Sequence, residues 1–217
     1  MIAAHRASLL YSDHGKEVAA CRDIDLEVRP NEFLGIIGPS GSGKSSLLYL
    51  LSGLKLPTHG SVTCDGRDLA ALGEEERGRL RLSAFGFVFQ QPYLLGYLTA
   101  SENVNLTGGP SSGAGTADEL LRRLGLDGKQ RRLPHELSGG ERQRVCVARA
   151  LFGSPRVIFA DEPTAALDHA NGLQVVRLLN ENRGAGSLVM VTHDPSMLEQ
   201  ADRIVRLSDG QLVPESD

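Results

Sequence analysis

The chain has 217 residues, of which 41% are hydrophobic and 23% charged, and its formal net charge at pH 7 is −4. This length allows one large domain or two small ones with a sizeable core. Because nucleic-acid-binding proteins usually carry a strong basic excess, the acidic balance disfavours that class. The three cysteines, Cys21, Cys64 and Cys146, match no disulfide or metal-binding pattern and favour reduced thiols.

Membrane-spanning segments are not expected anywhere in the sequence. It contains no apolar run of about 18 residues, the minimum that spans a bilayer as a helix. Residues 1–11 also lack the apolar core of a signal peptide. If the protein works at a membrane, we expect a partner to supply the spans.

The first 37 residues predict β-strands. Residues 23–28 alternate between polar and apolar side chains, as a half-buried strand does. The apolar run 33–37 predicts a buried strand that leads straight into Gly38, and a helix follows from Lys44 to Leu54. Strand, glycine-rich loop and helix in this order are the context that a phosphate-binding loop requires.

Later segments continue to alternate between strands and helices. In chain order we predict a strand around 61–64, a helix near 74–81, a strand over 85–89, helices over 118–125 and 141–152, a strand over 157–160, a helix over 170–182, a strand over 187–191 and a hairpin over 203–213 around Asp209-Gly210. Residues 107–117 are rich in Gly and Ser and predict a flexible surface loop.

The segment Gly38–Ser45 matches the phosphate-loop pattern G-x-x-x-x-G-K-[ST] in full. Its glycines let backbone N–H groups turn towards phosphates, and the following helix adds its N-terminal dipole. In such a loop Lys44 reaches the β- and γ-phosphates, and the Ser45 hydroxyl is a ligand for Mg²⁺. The segment therefore predicts a nucleoside triphosphate site.

Two adjacent acids, Asp161 and Glu162, follow the apolar run 157–160. An aspartate at a strand end can hold the ligand shell of Mg²⁺, and the adjacent glutamate can polarise a water for attack on the γ-phosphate. Downstream of a phosphate loop, this pair predicts hydrolysis.

Gln90 and His193 each follow a predicted strand. A lone residue of either type at a strand end can be purely structural. Ligands of open α/β sheets, however, bind beyond the carboxyl ends of the strands, where Gln90, Asp161, His193 and the phosphate loop would all lie. These strand ends therefore predict one site.

Residues 137–143, Leu-Ser-Gly-Gly-Glu-Arg-Gln, open another predicted helix with a hydroxyl and two glycines. A helix start of this kind binds anions. Because one nucleotide already has its phosphate loop, this segment would complete the site of another copy. It predicts a head-to-tail pair with two shared nucleotides.

Taken together, the motifs GPSGSGKS, FVFQ, LSGGERQR, VIFADEPTAALD and VTHD resemble those of the nucleotide-binding subunit of an ABC transporter, in the same order and across essentially the whole chain. The resemblance implies an α/β P-loop NTPase with a RecA-like core, an N-terminal antiparallel β subdomain and an inserted α-helical subdomain. We expect a single domain over 1–217, with the core and β subdomain in 1–90 and 151–217 and the helical subdomain in about 91–150.

The resemblance implies ATP and Mg²⁺ as cofactors. Lys44 would bind phosphate and Ser45 both phosphate and Mg²⁺. Tyr11 would either stack on adenine or be a core residue of its strand. The remaining residues implied in the phosphate cradle are Gly38, Ser40, Gly41, Ser42, Gly43 and Ser46.

Four further residues have implied roles in hydrolysis. Gln90 would touch Mg²⁺ and the attacking water, and Asp161 would support Mg²⁺. Glu162 would be the general base, and His193 would contact the γ-phosphate.

The resemblance also implies an ATP-dependent dimer. Ser138, Gly139 and Gly140 would contact the γ-phosphate of the opposite protomer, and Asp168 would lie at the dimer seam. The expected partners are therefore a second copy and a separate polytopic membrane permease, with no nucleic acid. This places the protein on the cytoplasmic face of the inner membrane, held there through the permease.

Residues 87–95, 98–104 and 133–138 resemble the ATPases of lipoprotein-release, macrolide-export and related cell-division complexes. We therefore predict an ATPase that powers an export or lipoprotein-release system. One alternative is the ATPase of a non-transporting membrane signalling complex. Another is a soluble ABC ATPase of DNA repair or translation, which the absence of a coiled-coil insertion, a second cassette and basic excess disfavours.

The apolar and aromatic segment 91–103 allows two interpretations. It either packs the helical subdomain or forms part of a groove for a helix of the membrane partner.

Overall fold

The computed structural model describes residues 1–13, 16–108 and 116–213. The loop predicted at 107–117 lies largely outside the described residues. The chain divides into two compact units, the first formed by Met1–Arg81 with Val189–Asp217 and the second by Leu82–Leu188. Helix α2 (Glu74–Ala84) and strand β8 (Ser187–Thr192) each cross from one unit to the other.

The first unit begins with an antiparallel sheet of strand order β2-β1-β4-β5. Its strands are β1 (Ile2–Asp13), β2 (Lys16–Val28), β4 (His59–Cys64) and β5 (Arg67–Asp68). The apolar positions of the alternating segment 23–28 are all buried, namely Ile24, Leu26 and Val28. This is the predicted N-terminal β subdomain, and the alternation decides which face of β2 packs inward.

A second set of strands in the first unit has the order β10-β9-β3-β8. Strand β3 (Phe33–Ile37) runs parallel to β9 (Arg203–Ser208), and β9 turns through Asp209-Gly210 into β10 (Gln211–Val213). Helix α1 (Lys44–Leu51) follows β3 after the loop 38–43. The predicted order of strand, glycine-rich loop and helix is present.

The second unit contains strands in the order β8-β7-β6, in which β6 (Phe85–Val88) and β7 (Val157–Asp161) are parallel. The Phe159 ring packs against the rings of Phe85 and Phe87 at centroid distances of 5.3 and 5.7 Å. The helices are α3 (Ala100–Asn105), α4 (Ala117–Arg123), α5 (Gly139–Phe152) and α6 (His169–Asn182). Helix α5 contacts each of the other three.

The structure differs from the predicted elements at several points. Helix α1 ends at Leu51 rather than Leu54, because Gly53 adopts a left-handed φ of +66° that stops the helix. Strand β6 ends one residue early, at Val88. Helix α3 was not predicted, although Thr99 and Glu102 form the capping box that marks its start.

Within the described residues, no helix combines the length and the apolar character needed to cross a membrane.

Candidate functional site

The phosphate loop connects a buried strand to an uncapped helix start. Gly43 is the N-cap residue of α1 with a φ of +99°, and no side chain caps the helix. The N–H groups of a first helical turn have no partner within the helix, and together with the dipole they favour an anion. The local backbone is therefore arranged as a phosphate site.

Two glycines of the loop are required by close packing. A Cβ at Gly38 would lie 2.1 Å from the carbonyl oxygen of Leu207, and one at Gly43 would lie 2.0 Å from that of Ala20. No other residue fits at either position. Gly41 is needed for a different reason, because its φ is +79° although space around it is open.

Lys44 lies across the loop rather than in solvent. Its Nζ donates hydrogen bonds to the carbonyl oxygens of Gly38 at 2.9 Å and Pro39 at 3.0 Å, and the residue is 7% exposed. A compact ammonium held at this point brings a positive charge to the phosphate loop.

Ser42 is buried in the loop, and its hydroxyl has no hydrogen-bond partner among the described residues. An unpaired buried hydroxyl is costly, so an oxygen-rich ligand at the loop would relieve it. The Ser42 carbonyl, in contrast, accepts a hydrogen bond from the N–H of Gly210 at 3.0 Å.

The first unit also places two other predicted site residues. His193 is exposed and directly follows β8, which is the neighbour of β3 in the strand order. Tyr11 lies in β1 opposite Val18 and is 38% exposed, so it is not a core residue. An exposed ring of this kind is available for stacking on a base.

The second unit places Gln90 and Asp161 at the same edge of its strands. Val88 and Ala160 are partners in the parallel β6–β7 pair, and Gln90 and Asp161 follow them closely. Gln90 is exposed and Asp161 is buried, with 6% of its surface accessible. The prediction that both side chains stand at carboxyl ends of parallel strands is thus reproduced within this unit.

Glu162 adopts a left-handed φ of +45°. This conformation is uncommon for a residue with a side chain, although seven other non-glycine residues of the described chain share it. Because the backbone turns here, Glu162 leaves the line of β7 while Asp161 still belongs to it.

The start of α5 is formed by the predicted anion-binding segment. Ser138 is the N-cap and accepts a hydrogen bond from the N–H of Glu141 at 3.2 Å, while the Glu141 carboxylate accepts one from the N–H of Ser138 at 2.7 Å. Ser138 and Gly139 are exposed. The Ser138 hydroxyl is also hydrogen-bonded to the Glu141 carboxylate, so a ligand at this helix start would compete with Glu141 for the hydroxyl proton.

Asp168 lies beside that helix start. It is the N-cap of α6 and accepts hydrogen bonds from the N–H and Nδ2 of Asn171, the latter at 2.6 Å. A Cβ at Gly140 would lie 3.8 Å from Asn171 Oδ1. The two segments predicted at the dimer seam are therefore neighbours within the second unit.

Two residues that the sequence analysis did not select hold the segment after β6. Gln143 Nε2 donates to the carbonyl oxygen of Phe89 at 3.1 Å. The Arg149 guanidinium donates to the carbonyl oxygens of Pro92 and Tyr93 at 2.8 and 2.9 Å. Both side chains project from α5, so the helix that starts at Ser138 also fixes the chain that follows Gln90. Only the folded structure reveals this, because the partners are more than 50 residues apart in sequence.

The segment 91–103 carries exposed aromatic side chains. Tyr93 is 69% and Tyr97 77% exposed, and Leu95 lies between them at 37%. Asn103 fixes the intervening loop through hydrogen bonds to the backbone of Leu95 and Leu98. Of the two interpretations of this segment, packing into the helical subdomain does not account for these exposed side chains.

Comparison with known proteins identifies the family. Residues 21–165 match the family model described as ABC transporter. The macrolide export ATP-binding/permease protein MacB of Marinobacter nauticus is 43% identical over 205 residues, and that of Nitrosomonas europaea is 44% identical over 206. Each match covers 92% of this chain but 32% and 31% of the relative, so the chain spans about a third of these relatives' length.

Two solved structures are similar over nearly the full length of both chains. The dimeric post-hydrolysis state of the ATP-binding cassette MJ0796 bound to ADP and Pi is 35% identical, with a TM-score of 0.89 and coverage of 100% of this chain and 98% of that one. A second dimeric structure of MJ0796, described as a bacterial ABC transporter cassette, is 37% identical with the same TM-score and covers 99% and 97%. The chain therefore belongs to the ABC transporter family and has the P-loop NTPase fold of its ATP-binding cassettes.

Proposed function

We propose that this protein binds and hydrolyses ATP as a head-to-tail dimer and thereby powers a polytopic membrane permease. The phosphate loop carries the proposal, because it joins an uncapped helix start, a buried lysine and a buried unpaired hydroxyl in eight residues. Family membership and the ADP-bound structure of a similar cassette support ATP as the ligand.

The oxygen donors of the proposed metal ligands suit Mg²⁺. They are a hydroxyl from Ser45, a carboxylate from Asp161 and an amide oxygen from Gln90, and Mg²⁺ prefers such hard ligands together with phosphate oxygens. When bound, Mg²⁺ neutralises charge on the phosphates. Lys44 would add positive charge at the transferred phosphoryl group.

Water activation is assigned to Glu162, with His193 at the γ-phosphate. The left-handed backbone at Glu162 supports this role, because it separates the direction of that side chain from the direction of Asp161. A general base contributes about 10²–10⁴-fold to the rate of such a reaction.

The dimer is proposed from the exposed start of α5. Ser138 and Gly139 face solvent in the single chain, and Asp168 lies beside them. In a head-to-tail dimer, this helix start would bind the γ-phosphate held by the partner's phosphate loop. The dimeric form of the similar cassettes supports the arrangement.

The permease is proposed from the relatives and from the exposed aromatic segment. The relatives are export proteins that combine an ATP-binding part with a permease. Tyr93, Leu95 and Tyr97 would receive a helix of the membrane partner, since exposed aromatic clusters commonly mark binding surfaces. This would place the protein at the cytoplasmic face of the inner membrane.

The variant Glu162→Gln tests the proposed function. It keeps the shape of the side chain but removes the base, so ATPase activity should fall by about 10²–10⁴-fold while ATP binding persists. Because ATP is then retained, the variant should form a dimer with ATP and Mg²⁺ that elutes as a monomer without nucleotide. Size-exclusion chromatography with light scattering and a phosphate-release assay measure both effects.

The exposed acid Glu181 provides the control, since Glu181→Gln changes a carboxylate on α6 that has no proposed role. Its activity should equal that of the wild type. A Glu162→Gln protein that stays monomeric with ATP and Mg²⁺ would exclude the shared-site dimer, and unchanged turnover would exclude Glu162 as the base.

A further inference from the structure

The β9–β10 hairpin supports the phosphate loop at two points. Gly38 packs directly on the Leu207 carbonyl of β9. At the tip of the hairpin, the Gly210 N–H donates a hydrogen bond of 3.0 Å to the carbonyl oxygen of Ser42. The loop thus lies on a segment that is about 165 residues further along the chain and outside the phosphate-loop motif.

The hydrogen bond to Ser42 determines the direction of the next amide. In a planar trans peptide, the C=O and the following N–H point in opposite directions. Because the Ser42 carbonyl is turned towards Gly210, the Gly43 N–H is directed away from the hairpin. Backbone N–H groups fixed in this manner are the donors with which glycine-rich loops bind phosphate.

Strand β2 holds the same turn from its other side. The Arg22 N–H donates to the Gly210 carbonyl oxygen at 2.8 Å, and Ala20 packs on Gly43. Cys21 lies between Ala20 and Arg22 in sequence, and its thiol donates to the Gly43 carbonyl oxygen at 3.8 Å. Burial raises the pKa of Cys21 to about 12, so the thiol keeps its proton at neutral pH. The turn is therefore bonded both to β2 and to the loop.

We propose that the Asp209-Gly210 turn is a positioning element for ATP, which fixes the Gly43 amide in its phosphate-binding orientation by holding the Ser42 carbonyl. Gly210 acts through the loop and contacts no ligand itself. This inference rests on the proposed function, because it takes the loop 38–45 as the site of the ATP phosphates.

The chain contains a second turn with the same backbone, which provides a matched control. Asp65-Gly66 joins β4 to β5, and its φ angles of 50° and 77° match the 48° and 77° of Asp209-Gly210. A Cβ at Gly66 would meet nothing within 4 Å, whereas one at Gly210 would lie 3.1 Å from the Ala20 carbonyl oxygen. Alanine therefore imposes the same backbone strain at both positions. Only at Gly210 does its Cβ also crowd the Ala20 carbonyl and so displace the turn.

The experiment compares the wild type with Gly210→Ala and Gly66→Ala. Both variants should lower the urea midpoint of unfolding, Gly210→Ala by at least as much as Gly66→Ala because of its additional close contact with the Ala20 carbonyl. Gly210→Ala alone should raise the KM for ATP and the Kd for ADP, by about tenfold relative to Gly66→Ala, with kcat changed by less than about threefold. A higher KM with an unchanged kcat means that the variant binds the substrate and the transition state more weakly by the same amount. A general loss of stability does not produce this pattern. ATPase kinetics, calorimetric titration with ADP and urea unfolding give the three readouts.

If Gly210→Ala does not fold, Gly210→Asn replaces it with Gly66→Asn as control, because Asn tolerates a positive φ better than Ala does. Equal KM and Kd values in the two variants would overturn the positioning role while leaving the proposed function intact. A wild-type protein that neither binds nor hydrolyses ATP would overturn the proposed function as well, so the two failures are distinguishable.

Discussion

At the scale of single residues, Lys44 is the charged group most closely tied to the phosphate loop. Its Nζ donates hydrogen bonds to the carbonyl oxygens of Gly38 and Pro39. These carbonyls hold the ammonium at the loop, where a phosphate of the proposed nucleotide would offer it a stronger, charge-assisted partner.

Replacing Lys44 by Ala should abolish most ATP hydrolysis. Loss of one charge-stabilising group commonly reduces kcat by about 10²–10³-fold, and we expect a decrease of this size. Lys55→Ala is the control, because Lys55 is an exposed lysine just beyond α1. A phosphate-release assay on both variants measures the effect, and equal activity of the two would refute the role of Lys44.

At the scale of elements, three helices of the second unit begin with a capping box. The pairs are Thr99 with Glu102, Thr116 with Glu119, and Ser138 with Glu141. In each box the N-cap N–H donates to the carboxylate, and this hydrogen bond holds the pKa of all three glutamates below the usual value for this side chain. The helix starts are thus stabilised by carboxylates that must be ionised.

This arrangement predicts a loss of stability in acid. A carboxyl group whose pKa is lower in the folded state stabilises the fold above its unfolded pKa, and the contribution disappears as the pH falls through the folded value. The urea midpoint should therefore decrease once the pH falls below about 4.5. The double variant Glu102→Gln/Glu119→Gln keeps acceptors that do not titrate, and it should lose less stability over the same range.

Urea unfolding of both proteins between about pH 6 and about pH 3.5 tests this expectation. Neither glutamate is in the proposed catalytic set, so ATPase activity at neutral pH serves as a folding control. Parallel acid dependence in the wild type and the double variant would show that these capping boxes do not contribute.

At the scale of the whole molecule, the described part of the chain has no membrane-crossing helix, yet its relatives include permeases. The exposed Tyr93 and Tyr97 offer an amphipathic surface, and Arg149 and Asn103 hold the backbone that carries it. Helix α5 therefore carries both Arg149, which holds this surface, and the N-cap residue Ser138 at its opposite end.

We expect the double variant Tyr93→Ser/Tyr97→Ser to lose its membrane partner without losing ATP-dependent dimerisation. Tagged Glu162→Gln protein, with ATP present, should recover a polytopic permease from native membranes by mass spectrometry, and the tyrosine changes in the same background should abolish recovery. Leu82→Ser is the control, because Leu82 is also an exposed apolar side chain at 60%. Equal recovery of the permease by the parent, the tyrosine variant and the Leu82→Ser variant would place the docking surface elsewhere.

A separate assay distinguishes transport from signalling. ATP turnover that is stimulated by a substrate of the permease indicates transport.

The local motifs were sufficient to predict the family, the α/β fold and the strand–loop–helix context of the phosphate loop. The comparisons confirm the family and the fold. The roles of the individual site residues stay predictions, as does the division into a core and a helical lobe over 91–150. Such motifs can be recognised in the sequence because a phosphate loop, a strand end or a helix cap is built from residues that are neighbours in the chain.

Other features depend on residues that are far apart in the chain. Packing between distant segments brings Gly210 to the Ser42 carbonyl. It also brings Arg149 to the carbonyls of Pro92 and Tyr93 and leaves Tyr97 exposed. The sequence marked Asp209-Gly210 as a turn but not what the turn would hold, since a turn pattern specifies only the conformation of its own backbone. The sequence by itself thus determined the family and the position of the phosphate loop, whereas the tertiary structure decided which distant residues hold that loop, because their contacts form only on folding.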